Sequence, residues 1–166
     1  RMAERTYSKG KKSVSDSLTE SIKSVRYEDI NGVNRLFGGR LMEWIDETAG
    51  IAARRHCGGD VTTACVDQLT FKHPAFLNDV VVIVAAVTYV GHTSMEVRVD
   101  SYAEDVHTGE RRLINVAYLT EVCVDEKGKP TPVEYGLSLE TDEERRENQD
   151  ALKRIIFRKT RAAEGF

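Results

Sequence analysis

Three features of the run Asn31-Gly32-Val33-Asn34-Arg35-Leu36-Phe37-Gly38-Gly39-Arg40-Leu41-Met42-Glu43-Trp44-Ile45-Asp46 could do chemistry. The pair Gly38-Gly39 opens an apolar-periodic helix. Without side chains there, a ligand can approach bare backbone N–H groups at a helix start, where the dipole favours negative charge. Asp46 lies about two turns further on and places a carboxylate near that anion site. Asn31 carries an amide that can donate or accept, although Asn31-Gly32 is also a strong turn dipeptide in its own right.

At about 100° per residue, Leu41, Ile45, Thr48, Ala49 and Ala52 gather on one side of this helix. Arg40, Glu43, Glu47 and Arg54 gather on the other. Asp46 falls between them, beside Met42, Ala49, Gly50 and Ala53. No cation stands at its i±3 or i±4 positions, and Glu43 is a like charge. Partial burial without a partner would favour the protonated acid and suit a general base near neutral pH. The plain alternative is a half-exposed Asp on a surface helix.

Other reactive residues carry weaker arguments. His56 and Cys57 are adjacent at the helix end, and adjacent helical residues do not face each other. Cys65 alternates into an apolar strand as a small core residue. Asp67 in the same strand reads as a solvated or hydrogen-bonded carboxylate. Lys72 and His73, just before Pro74, form a local positive patch.

These residues need a frame. The chain has 166 residues and a net charge of −3, which fits one domain and gives no reason to expect nucleic acid. No apolar run approaches the ~20 residues of a membrane span, and no signal-peptide pattern opens the sequence. Cys57, Cys65 and Cys123 are odd in number and widely spaced. That argues against a disulfide framework and a metal site, and for a reducing compartment, by default the cytoplasm.

Residues 1–13 read as a flexible leader. A strand is expected around 17–27, a loop over 28–37, and the helix from about Gly39 to Cys57, stopped by Gly58-Gly59. Val61 to Phe71 is rich in β-branched residues. Val80 to Val90 is almost continuously apolar and reads as a strand buried on both faces. Met95, Val97 and Val99 alternate with Glu96, Arg98 and Asp100, the pattern of a half-exposed strand. His107-Thr108-Gly109 reads as a hairpin turn before a strand over Leu113 to Val124. Thr141-Asp142-Glu143-Glu144 starts a charged helix of capping-box type that runs to about Arg158. One long helix with a wide apolar stripe needs cover, and an antiparallel sheet curled around it is the economical α+β solution.

The run Phe37-Gly38-Gly39-x-Leu41-Met42-x-x-Ile45-Asp46-Glu47-x-Ala49-Gly50 resembles the helix signature of the hotdog acyl-CoA thioesterases. These are the bacterial acyl-CoA hydrolases and their two-domain relatives, the brain-type cytosolic acyl-CoA hydrolases. Ala52-Ala53-Arg54-Arg55-His56-Cys57, Val61-Thr62-Thr63-Ala64-Cys65-Val66-Asp67 with Phe71, and Thr93-Ser94-Met95-Glu96-Val97 follow in family order. The resemblance spans about residues 20–135. It implies a hotdog domain over 14–135, an antiparallel sheet wrapped around the central helix, with residues 136–166 as a C-terminal helical extension. It also implies homodimers whose helices share one continuous sheet, and in many members trimers of dimers.

By that resemblance the reaction is hydrolysis of acyl-CoA to free acid and coenzyme A, with no separate cofactor. Asp46 falls on the family's catalytic aspartate, as base or nucleophile, and Asn31 on its catalytic asparagine, the two meeting from opposite protomers. Gly39 would offer its N–H to the thioester oxygen. Gly38, Lys72, His73, His92, Thr93 and Ser94 would line the substrate. The chain departs from many relatives at Asn34, where they carry Gly, and at Gly91-His92, where they carry Arg or Lys. A hotdog hydratase, or a non-catalytic acyl-CoA sensor, is the alternative. The first wants a His on the central helix before His56, and the second has no need of a base.

Overall fold

The apolar stripe of the central helix dictates the arrangement of everything around it. Residues 5–166 are described by a computed structural model. In chain order they form β1 (Lys11–Ser13), α1 (Val14–Ser17), β2 (Thr19–Ser24), a 3-10 turn (Tyr27–Asp29), α2 (Gly38–Cys57), β3 (Asp60–Phe71), β4 (Val80–Val90), β5 (Ser94–Glu104), β6 (Arg111–Val124), β7 (Gly136–Ser138) and α3 (Asp142–Glu164). Leu41, Trp44, Ile45, Thr48, Ala49, Ala52 and Ala53 of α2 are buried. The run of alanines lets the second half of the helix lie close to the strands. Gly58 ends α2 in the left-handed conformation, φ 72°, with its N–H on Arg54 O, as the glycine stop predicts.

The sheet order is β2-β4-β5-β6-β3, and every neighbouring pair is antiparallel. All five strands touch α2, so the sheet wraps the helix in the expected hotdog manner. Ile83, Ala85, Val87, Val97, Val99, Ala117 and Leu119 fill the space between them. No helix among the described residues is long and apolar enough to cross a membrane.

The leader is more ordered than expected. Residues 1–4 lie outside the described residues, but Lys11–Ser13 pair in parallel with Gly136–Ser138, and the Tyr7 hydroxyl donates to Val90 O at 3.1 Å. A three-residue strand has no local signature; its partner more than a hundred residues away creates it. The same pairing ties the first residues of the expected C-terminal extension to the N-terminal segment.

β5 also departs from expectation, because its outer face is not open. α3 covers it. Thr141 caps that helix with the expected box, and the helix continues past Arg158 to Glu164. Its grip is ionic rather than apolar, with Ala151 its one buried residue. Arg154 holds Glu96 through two nitrogens, at 2.8 and 2.9 Å. Arg98 reaches Glu147 at 2.6 Å, and Arg158 pairs with Asp67. Asp67 is thus a hydrogen-bonded structural carboxylate.

Glu96 is 3% exposed, so its charge depends on its partners. Arg154→Ala leaves it only the Thr88 hydroxyl at 2.7 Å. That loss should cost about 3 kcal/mol, the scale of breaking a buried pair from one side. Urea unfolding measures it as a lower midpoint at unchanged slope. A loss below about 1 kcal/mol would mean that α3 is held by something other than this pair.

Candidate active site

The loop before α2 is built around Asn31. Asn31 N–H donates to Arg35 O at 2.8 Å. Its side-chain Oδ1 accepts from Val33 N at 3.0 Å and Arg35 N at 3.1 Å. Asn34 turns the chain with φ 60°, a conformation Asn tolerates and Gly adopts freely. The loop is pinned to the helix by Asp29, which is buried. Its Oδ2 accepts from Arg26 N at 2.9 Å, and its Oδ1 meets Arg40 Nε at 3.0 Å. The turn reading of Asn31 is therefore correct, and its Nδ2 has no partner among the described residues.

α2 begins without a side-chain cap, since Phe37 stands at the N-cap. Both glycines face rings. A Cβ on Gly38 would lie 3.3 Å from Phe71 Cζ, and one on Gly39 would lie 2.7 Å from Phe37 Cε1. Phe37 and Phe71 are themselves exposed, so the helix start is an open apolar mouth. Lys72 and His73 follow Phe71 at this end. His92, Thr93 and Ser94 lie at the other end, in the turn from β4 to β5. There His92 lines a cleft of about 670 Å³ with Lys9, Lys12, Cys57 and Gly59. Within one chain the length of α2, about 30 Å for 20 residues, separates the two groups.

Asp46 is exposed rather than half-buried, because the side it faces is left uncovered by this chain. Its Oδ1 accepts from Thr63 Oγ1 at 2.5 Å. Thr63 Oγ1 lies 2.9 Å from Glu121 Oε1 as well. Thr63 and Glu121 stand directly opposite each other on β3 and β6, and the register of β3 shifts immediately after Thr63, at a bulge. Such bulges re-aim side chains. Glu121 is fully buried. Burial pushes its carboxyl up to about 7; the Thr63 hydrogen bond opposes this and the nearby charge of Asp46 adds to it.

Asp46 and Asn31 share no hydrogen bond within the chain. Asn31 bonds its own loop, and Asp46 bonds Thr63. Among the weaker candidates, His56 is buried against Tyr135 O at 3.0 Å, and burial holds its ring below the usual histidine range. Cys65 Sγ lies 3.5 Å from Asp67 Oδ1. Sequence reasoning missed Thr63 and Glu121. Thr63 is hidden among strand-forming residues. Glu121 does leave a trace, a carboxylate at an inward position between Leu119 and Cys123.

A pattern of the thioesterase superfamily matches residues 34–110. The chain is 43% identical to the uncharacterised acyl-CoA thioester hydrolase YkhA of Bacillus subtilis, over 80% of this chain and 77% of that one. The acyl-CoA hydrolase of Staphylococcus aureus, solved with butyryl coenzyme A, coenzyme A and coenzyme A disulfide, superposes with a TM-score of 0.86. It is 38% identical, with 93% of each chain covered. Variants of that enzyme with one aspartate, one asparagine or one threonine replaced by alanine superpose with TM-scores of 0.86 to 0.89. A hexameric acyl-CoA thioesterase solved without ligand is 38% identical over 93% of this chain and 98% of its own, with a TM-score of 0.88. An antiparallel sheet wrapped on one helix, a carboxylate two turns in and these likenesses agree: the chain belongs to the thioesterase superfamily, among the hotdog acyl-CoA thioester hydrolases.

Proposed function

We propose that this protein hydrolyses acyl-CoA to the free acid and coenzyme A, with Asp46 activating water or attacking the thioester, and Asn31 donating from its amide. One observation carries the residue assignment. Asn31, Asp46 and Thr63 stand at the same spacing along the chain as the asparagine, aspartate and threonine replaced in the Staphylococcus aureus enzyme. The hydrogen bond from Thr63 to Asp46 supports it. Gly39 would present its N–H to the thioester oxygen as charge develops there. Coenzyme A enters as part of the substrate.

The site is proposed to lie between protomers of a homo-oligomer. β3 is the edge of the five-stranded sheet, 12 residues long, with Val66 and Phe71 exposed on it. A long apolar edge of this kind invites pairing with another chain. Thr63 sits on that strand, beside the open side of Asp46. A second chain there would roof the carboxylate and could bring its own Asn31 to it. Dimers of this kind, assembled in threes, would match the hexameric relative. Lys72, His73, His92, Thr93 and Ser94 are proposed to reach coenzyme A from two chains.

Release of free thiol from a panel of acyl-CoAs tests the activity, and no release from any chain length would reject it. Gly39→Ala separates two reasons for the glycine. Its Cβ meets only the exposed ring of Phe37, which can swing, so thermal stability should change little. Turnover should fall on the order of 10²-fold, because a methyl group stands where the oxyanion must approach. Lost stability with the rate per folded molecule intact would make the glycine a packing residue only.

A further inference from the structure

The Thr63 hydroxyl has one hydrogen and two carboxyl groups within reach, Asp46 Oδ1 at 2.5 Å and Glu121 Oε1 at 2.9 Å. It cannot donate to both. If both carboxyls were ionised, one of them would face a hydroxyl lone pair at hydrogen-bond distance. One of the two therefore carries a proton that it donates to Thr63. Asp46 is open to solvent, which stabilises its charge. Glu121 is fully buried, and its Oε2 has no partner among the described residues. Among the described residues the groups facing it are Asp46 from α2, Thr63 from β3 and Met95 from β5, and none of them is a cation that could offset a charge there. An unpaired carboxylate in such a place costs several kcal/mol, so the proton belongs on Glu121.

We propose that Glu121 is a positioning residue: as a buried carboxylic acid it donates to Thr63 Oγ1 and so turns the Thr63 hydrogen onto Oδ1 of Asp46. Oδ2 of Asp46 is then left for water or the thioester. The direction of every bond in the chain follows from the single proton on Glu121. Burial and the charge of Asp46 both hold that proton on, to about pH 7. When it leaves, the Thr63 hydrogen turns toward Glu121, and Asp46 loses the bond that orients it. The assignment rests on the hydrolytic reading of Asp46. Its sign is fixed: the ordered arrangement exists below the raised value and is lost as pH rises through it.

The test has one arm that needs no activity. In protein labelled with carbon-13 at glutamate carboxyls, the signal missing from Glu121→Gln identifies Glu121. It should titrate near pH 7, and lower in Asp46→Asn, where a neighbouring charge is gone. A midpoint near the ordinary ~4.3 overturns the proposal. The second arm is the pH profile of kcat with an acyl-CoA. Wild type should lose kcat as pH rises through about 7. Glu121→Ala, with no donor, should lose on the order of tenfold in kcat at pH 6, with KM little changed. Glu121→Gln donates from its amide at every pH. It should restore most of that loss and lack the alkaline decline. A Gln variant that behaves like the Ala variant, or keeps the decline, overturns the proposal. Wild type inert toward every acyl-CoA rejects the hydrolytic reading instead, and the titration still decides where the proton lies.

Discussion

Asp46→Asn should keep the fold and lose thioester hydrolysis by at least ~10²-fold, the scale expected when a central proton-transfer group or nucleophile is removed. The fold is safe for a visible reason. Asp46 is exposed and, among the described residues, anchors no cation and bonds only the Thr63 hydroxyl, from which an amide oxygen accepts equally well. A loss of rate in this variant therefore reports chemistry. Thermal unfolding and thiol release on the same sample make the comparison, and unchanged turnover in a well-folded protein would sink the assignment. Single turnover in oxygen-18 water divides the two roles. Label found in the Asp46 carboxylate marks direct attack by the aspartate, with water then opening the acyl–aspartyl anhydride at the Asp46 carboxyl; a base mechanism labels the released acid and never Asp46.

Mixing two inactive proteins should restore activity if sites are shared between chains. Asn31→Ala and Asp46→Ala, unfolded together and refolded in equal amounts, form mixed dimers half the time. In each mixed dimer one site collects both lesions and the other collects neither. About a quarter of wild-type sites should return, by the symmetry of an isologous dimer. The structure gives the motive. Asn31 and Asp46 do not meet within one chain, and the carboxylate opens beside the unpaired edge of β3. If each chain built its own site, every site would carry a lesion and nothing would return. No recovery, with subunit exchange demonstrated separately, rejects the shared site.

The parts legible from sequence are those whose signal is local and repeated. α2 was readable because its apolar residues recur at helical spacing and Gly58 stops it. β4 was readable to the residue because it is apolar from Val80 to Val90 save for Thr88. The failures have one cause, that the partner lies far along the chain. β1 exists only through β7. Glu96 and Arg98 mimic a solvated face because the helix that neutralises them comes more than forty residues later, while Asp100 is paired by Arg98 itself. In the candidate site, the wheel set Asp46 on the shoulder of the apolar stripe, where the structure leaves it exposed, and only the resemblance singled it out. Thr63 was not findable, since strict alternation fails at the bulge that follows it. Glu121 was findable in principle, as the one carboxylate on the inward row of β6.

Asn31 divides its labour between two atoms, and this bears on which substitutions a folding measurement can see. The loop uses only Oδ1, as acceptor for Val33 and Arg35 N–H. An aspartate offers that same acceptor in the same place, so the loop alone has no reason to prefer the amide. What Asn31→Asp removes is the outward N–H pair, and what it adds is a second negative charge where a carboxylate is already expected. On the role proposed for Asn31, a protein carrying that change should keep its structure and melting temperature and lose turnover. The nitrogen of Asn31 is thus a choice that packing did not make.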